Sequence, residues 1–375
     1  MAERPAPLVS FVVPCYKLAH LLPDCVRSIL AQTFTDFEVL IMDDASPDNT
    51  PEVAASFGDP RVRHIRNNPN LGALPNYNKG ISLARGKYVW LISADDFLRR
   101  PDALARLVAV LEANPRVNYV FSAGMGFRDG RETGLLHWAA YADRDCVVSG
   151  REFLQRLMSY NLVLAPATLA RRECYEKLGN FPTRVVWAGV PLDLIWGGDW
   201  YLWCLFALHG DVGYIAEPLV CYREHELAVT TTVTREALAN CFRAELGVAW
   251  QIKRAAEQLG YADVVARCYG ALADHYGHHL TGKPFRSAES RITLDEFEAS
   301  LAANAANDAE RRRVRAASFV NAGDRCFVKK LYPAAADFYR RALGQGADWR
   351  CRLKLAALQA GGPAIWLRRR LNRLD

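Results

Sequence analysis

Two adjacent carboxylates, Asp95 and Asp96, stand at the end of the apolar run Tyr88–Ile92, two residues beyond it. Unpaired acids delivered by a strand to its own carboxyl end are costly unless something positive arrives. A divalent ion carrying a phosphate satisfies them. Mg2+ and Mn2+ take oxygen ligands and keep positions open for water and substrate phosphates. The competing reading is a helix N-cap, serving the helix expected from Pro101. A second run, Phe37–Met42, makes the same delivery to Asp43 and Asp44. Those acids open the polar turn Asp43–Thr50, where carboxylates can accept hydrogen bonds from a base N–H or from ribose hydroxyls. An Asx-type turn fits the same residues and is compatible with that use. Two acidic strand ends on one sheet point to a nucleotide-binding crevice, because open α/β sheets bind ligands beyond the carboxyl ends of their strands.

The elements that must position these acids alternate. Leu8–Pro14, Phe37–Met42, Val62–Ile65, Tyr88–Ile92 and Tyr119–Ser122 read as strands, the first a continuous apolar run of the kind buried in parallel sheets. Between them Leu21–Gln32, a helix opening at Thr50-Pro51, Pro75–Ala84 and Pro101–Ala113 read as helices. This βαβα succession predicts a mostly parallel sheet flanked by helices. Phe127–Gly150 is polar and Gly-bearing and is expected as a loop over the site. Arg151–Tyr160 reads as a helix, Ala167–Ala170 as a short strand, Asp199–Leu208 as a helix, and Val212–Ile215 and Pro218–Tyr222 as two further strands. Strand signals stop near Thr234. Glu236–Leu259 and Tyr261–Leu280 are helical in pattern, Lys283–Ser290 is a turn, and helices resume from Leu294. The expected division is residues 1–233 and 234–375, with a tetratricopeptide-like unit near 316–346 or a plain helical hairpin in its place.

Composition bounds the classes. The chain has 375 residues, 51% of them hydrophobic, enough for a large core and against global disorder. Its ten cysteines contain no C-x-x-C pair, which favours reduced thiols in a cytoplasmic protein over a disulfide framework or a zinc site. No signal-like leader or run of membrane-spanning length is present, so a soluble protein is expected. The net charge of +6 is uneven: residues 311–375 carry +12 and the remainder −6. Within that basic end, Leu367, Leu371 and Leu374 share a helical stripe beside Arg368, Arg369, Arg370 and Arg373. Peripheral contact with an anionic membrane, on the inner face of the cytoplasmic membrane, and a docked final helix are equal readings. The tail lacks interleaved aromatic and basic residues, which weighs against nucleic acid.

An ordered set of motifs carries a resemblance. Val12–Tyr16, Asp43–Ser46, Asn70–Gly72, Asn78–Gly80, Ala84–Tyr88, Ser93–Asp96, Arg171-Arg172, Gly179–Phe181, Gly198–Leu202 and Pro218–His225 follow the order and spacing of family 2 glycosyltransferases of the GT-A fold, over residues 8–228. The resemblance implies a GT-A domain; the C-terminal all-helical domain is read from the pattern after Thr234 and lies outside the resemblance. The resemblance also implies an inverting, metal-dependent transfer of a sugar from a nucleoside diphosphate donor, UDP by default, to a hydroxyl of a glycan or lipid-linked acceptor in cell-surface polysaccharide or lipopolysaccharide synthesis. It places Pro14 and Tyr16 at the base, Asp43 or Asp44 at the base or ribose, and Asn78, Ser93, Ala94 and Asp95 along the donor. Asp95 is matched to the metal ligand for Mn2+ or Mg2+, with Asp96 and His225 beside it, and Asp199 to the catalytic base. Two positions depart from the pattern: Ser93 stands where an acid is common, and Tyr77 where arginine is common.

The chemistry asks for the same parts. A leaving diphosphate needs its charge neutralised. The attacking hydroxyl needs a base on the opposite face of the sugar, from an acid distant in sequence. Asp199, behind Gly197-Gly198 at a helix start, meets that need, although a capping role alone would also explain it. Trp187, Trp196, Trp200 and Trp203 suit a sugar platform or core packing equally. His275, His278 and His279 read as a helix surface. Glycosylation of a protein or peptide, and a non-catalytic nucleotide-sugar-binding role, are the alternatives.

Overall fold

The structure is a computed structural model. It describes residues 5–360 apart from 188, 195–196, 227, 229–234 and 286–287, and only the backbone of 190, 235–239, 241–242, 283–285 and 288–290. Trp196 and the basic stripe of residues 365–374 lie outside the described residues. The chain divides into two compact units, Met1–Thr183 with Leu194–Val233, and Arg184–Asp193 with Thr234–Asp375.

The first unit is built on β1 (Val9–Cys15), β2 (Phe37–Asp43), β3 (Val62–Arg66), β4 (Tyr88–Leu91), β5 (Phe97–Leu98), β6 (Val117–Arg128), β7 (Arg131–Leu135), β8 (Cys146–Val148), β9 (Thr168–Arg171) and β12 (Asp211–Arg223). Its helices are α1 (Leu22–Leu30), α2 (Thr50–Ala55), α3 (Ala73–Leu83), α4 (Ala103–Ala113), α5 (Gly150–Leu157), α6 (Arg172–Leu178) and α7 (Gly198–His209). The strands form one sheet in the order β3-β2-β1-β4-β9-β6-β12-β5, with β7 on β6 and β8 on β12. Strands β1 to β4 are parallel; β9 enters antiparallel between β4 and β6. Every residue of β1 and β2 is buried, which is why their sequences are unbroken rather than alternating. Phe11 stacks on Trp90 across β1 and β4 with ring centroids 5.2 Å apart. Gly86 leads into β4 where a Cβ would lie 2.6 Å from the Ser10 nitrogen, so only glycine lets that strand reach β1.

Several elements differ from expectation. The segment 127–150 is not a loop throughout. β6 runs on to Arg128 and turns into β7, and β8 follows. All five β7 residues are exposed, so backbone pairing holds this strand without any apolar alternation to announce it. The two strands expected over 212–222 are one strand, β12, whose pairing to β6 shifts register between Ile215 and Val220.

The second unit holds α8 (Arg235–Gln258), α9 (Ala262–Thr281), α10 (Leu294–Asn304), α11 (Asp308–Val328), α12 (Tyr332–Gly344) and α13 (Trp349–Gln359). It is helical but not wholly so. β10 (Arg184–Trp187) pairs with β11 (Val190–Asp193), and β13 (Lys283–Phe285) with β14 (Ala288–Ser290) where a turn was expected. Gly323 meets the Tyr339 ring where α11 crosses α12: a Cβ would stand 2.5 Å from it. His275 and His279 are buried, not surface groups, and Glu245 of α8 lies 3.7 Å from His275. Helix α9 is packed on more than one side, which a single amphipathic pattern does not reveal. Among the described residues no helix is long and apolar enough to cross a membrane.

Candidate active site

A cavity of about 230 Å³ opens at the carboxyl end of the first unit's sheet. Pro14, Ser93, Asp95, Asp96, Tyr77 and Asp199 all line it. The β1–β4 ladder continues past β4: Ile92 N–H donates to Val12 O at 3.0 Å, and Ala94 N–H to Pro14 O at 3.1 Å. These bonds hold the Ser93–Asp96 turn beside Pro14. Ala94 itself is fully buried and contributes its backbone.

Asp95 and Asp96 have different surroundings. Asp95 Oδ2 lies 3.0 Å from His225 Nε2, while its Oδ1 is buried without a hydrogen-bond partner. A buried, unsatisfied carboxylate oxygen is costly, and a hard cation is the guest that satisfies it. Asp95 with His225 beside it therefore fits a divalent ion. Asp96 is buried and accepts from the Arg223 backbone N–H at 2.9 Å. Burial, and then the Asp95 charge, push its proton affinity well above the usual carboxylate range. Asp96 thus has a backbone partner of its own, and among the described residues no group of three or more His, Cys, Asp or Glu has metal-holding geometry. Arg223 ties the site together. Its Nε donates to Asp95 O at 2.8 Å and its Nη2 to Asp24 at 2.8 Å, and its guanidinium lies 5.2 and 5.1 Å from the Phe97 and Phe127 rings.

Asp199 sits in the first turn of α7, whose N-cap Gly197 has φ +84°, a left-handed turn that glycine takes without strain. Asn161 donates to Asp199 Oδ2 at 2.8 Å. Burial raises the Asp199 proton affinity against the opposing hydrogen bonds, the first from the Trp200 backbone. A carboxylate so placed is a stronger base than one in water.

Other expected site residues have different employment. Asp43 is fully buried and receives Ser46 N–H at 2.8 Å and Arg66 Nη1 at 2.5 Å, with His64 3.1 Å away. Asp44 receives Asn67, Leu71 N–H and Gly72 N–H at 2.8, 2.8 and 2.9 Å. Neither lines the cavity; both pin the loops around it. Asn78 clamps Phe181, donating to its carbonyl at 2.8 Å and accepting its N–H at 3.0 Å. Tyr16 is 44% exposed at the end of β1 and is not part of the cavity wall. Trp200 and Trp203 are core residues of α7, and Trp187 is buried in the second unit. Tyr222, inside the Pro218–His225 motif, and Pro166 line the cavity and Asn161 bonds Asp199, and no local pattern in the sequence marked Asn161 or Pro166.

The architecture is that of the GT-A glycosyltransferases. TarS of S. aureus, solved in complex with UDP-GlcNAc, superposes with a TM-score of 0.57 at 15% identity, over 94% of this chain and 92% of that one. The chain belongs to glycosyl transferase family 2. The family model matches residues 10–173. An uncharacterised protein of Mycobacterium tuberculosis is 37% identical over 254 residues, covering 66% of this chain and 76% of the relative. The succinoglycan biosynthesis protein ExoO of Rhizobium meliloti is 39% identical over 136 residues, 36% of this chain and 39% of the relative. The glycosyltransferase GlyG of Streptococcus pneumoniae is 38% identical over 94 residues, 24% of this chain and 31% of the relative. The chain thus matches well under half the length of the last two.

Proposed function

We propose that this protein transfers a glycosyl group from a nucleoside diphosphate sugar to a hydroxyl acceptor, with inversion at the anomeric carbon. The observation that carries the reading is a single cavity bearing an unsatisfied carboxylate oxygen at Asp95 and a carboxylate of raised basicity at Asp199. Asp95, with His225 beside it, would hold Mn2+ or Mg2+. The chemistry such an ion supplies when bound is neutralisation of the charge that builds on the departing diphosphate. The chain's own residues do the rest. Pro14 and Ser93 border the donor. Asn161 fixes the Asp199 carboxylate. As the acceptor oxygen bonds to the anomeric carbon and the bond to the diphosphate oxygen breaks, Asp199 takes the acceptor's proton. Attack from the face opposite the leaving group inverts the centre.

UDP is the default nucleotide, supported by the UDP-GlcNAc complex of TarS. A role in cell-surface polysaccharide synthesis is supported by the name of ExoO. The catalytic unit comprises the first of the two compact units, and the helical unit is its accessory. Transfer is tested with Asp199→Asn. The variant should keep donor affinity and lose turnover by about 100-fold or more. Unchanged turnover would remove Asp199 from the mechanism.

A further inference from the structure

Helix α3 carries Tyr77 into the cavity that Asp95, Asp96 and Asp199 also line. Its ring stands edge-on to Phe181, with centroids 5.7 Å apart at 79°. The next residue, Asn78, grips the Phe181 backbone at both its N–H and its carbonyl. Ring and cavity wall therefore form one fixed piece. Among the described residues the Tyr77 hydroxyl has no hydrogen-bond partner. Tyr77 is half-buried, so a ligand in the cavity can reach this hydroxyl. Burial, and then the charges on Asp95, Asp199 and Asp96, hold its proton well above the range of a free phenol. It is a neutral donor at any working pH.

Its place in the wall locates it, because Tyr77, Asp95 and Asp199 line one and the same cavity. The next step rests on the transfer reading above. In a single displacement the anomeric carbon lies between the leaving and the attacking oxygen. The transferred sugar must then span from Asp95 to Asp199, past Tyr77. We propose that the Tyr77 hydroxyl donates a hydrogen bond to the sugar being transferred, and so helps set which donor sugar the site accepts. A cation at this position would pair with the carboxylates and weaken the base. A phenol supplies a donor without changing the charge.

Tyr77→Phe tests this, since it keeps the ring against Phe181 and removes only the hydroxyl. Calorimetry with Mn2+ compares wild type and variant on UDP-glucose, UDP-N-acetylglucosamine and GDP-mannose, and on UDP and GDP alone. For the sugar donor that wild type binds most tightly, the variant should lose about 5- to 10-fold in affinity. The matching nucleoside diphosphate should bind the variant as it binds wild type. The kcat/KM ratio between two donor sugars should also change. Equal losses for nucleotide and nucleotide sugar, or no loss for either, overturn the proposal and leave the transfer reading standing. If wild type binds none of the nucleotide sugars, the transfer reading falls and the proposal with it. Should Tyr77→Phe lower the ligand-free melting temperature, the same split is read on Tyr77→Met, which fills the space without a hydroxyl.

Discussion

With a divalent ion at Asp95, as proposed, its removal should weaken nucleotide binding about 100-fold, because among the described residues none that lines the cavity is positive. Its lining holds three carboxyl groups and neither lysine nor arginine. The arginine nearest these acids, Arg223, is committed to Asp24, to the Asp95 carbonyl and to two aromatic rings. Asp95 is the acid at that end with an unsatisfied oxygen, so the repulsion is worked from it. At a separation of about 6 Å and an effective dielectric of about 20, two like unit charges repel by about 3 kcal/mol. Two diphosphate charges against Asp95 give about 6 kcal/mol, which water and salt in an open cavity cut to about 3. That is roughly 100-fold in affinity. The assay is calorimetric titration of UDP with Mn2+ and again with EDTA, on wild type and Asp95→Asn. Asparagine can still accept from His225. With Mn2+ the variant should bind more weakly than wild type. With EDTA the order should reverse, since the variant has lost the repelling charge. An EDTA effect below about threefold, or a variant weaker than wild type under both conditions, would refute the electrostatic argument.

Asp199 carries a pH prediction. Its proton affinity is raised, so kcat should fall as pH drops through a value above the ordinary carboxylate of about 4; an acid limb at or below that value would contradict it. Linkage gives a second reading of the same group. A carboxyl whose pKa rises on folding favours the fold most below its unfolded pKa, and that contribution is lost as pH rises through the folded value. Thermal unfolding should therefore show Asp199→Asn more stable than wild type at pH 8, with the gap closing in acid. Asn78→Ala removes two hydrogen bonds to the buried Phe181 backbone and should cost about 2 kcal/mol in chemical unfolding. A change under about 0.5 kcal/mol would show that water replaces the clamp.

The core strands were legible because burial on both faces writes an unbroken apolar run. β1, β2 and β4 match their expected spans to within two residues at either end. β7 was illegible for the opposite reason: an exposed strand held by its backbone leaves no pattern in side chains. The buried histidines of α9 were misread because helices pack on both of its sides, so the polar-looking residues do not mark a solvent face. In the site, motif and chemistry together singled out Asp95 and Asp199, and the structure places both on one cavity. Asn161 was not singled out, since its contact with Asp199 spans 38 residues and depends on how α5 returns to the sheet.

Asp43-Asp44 and Asp95-Asp96 look alike in sequence, each pair placed at the end of an apolar strand, and the structure gives them different surroundings. β3 lies next to β2 in parallel register, bringing Arg66 opposite Asp43 and Asn67 within reach of Asp44. The first pair is thereby satisfied within the protein, and its charge is spent on shaping the turn. β4 has β1 on one side and the antiparallel β9 on the other. From the other half of the sheet, β12 brings a backbone N–H to Asp96, and His225, two residues past its end, reaches Asp95. One oxygen of the second pair is left without a partner. The neighbouring strand thus decides whether such an acid finds its partners within the protein. Supplying Asp95 with an arginine partner, as β3 supplies Asp43, should convert it to a structural acid and end metal-dependent binding.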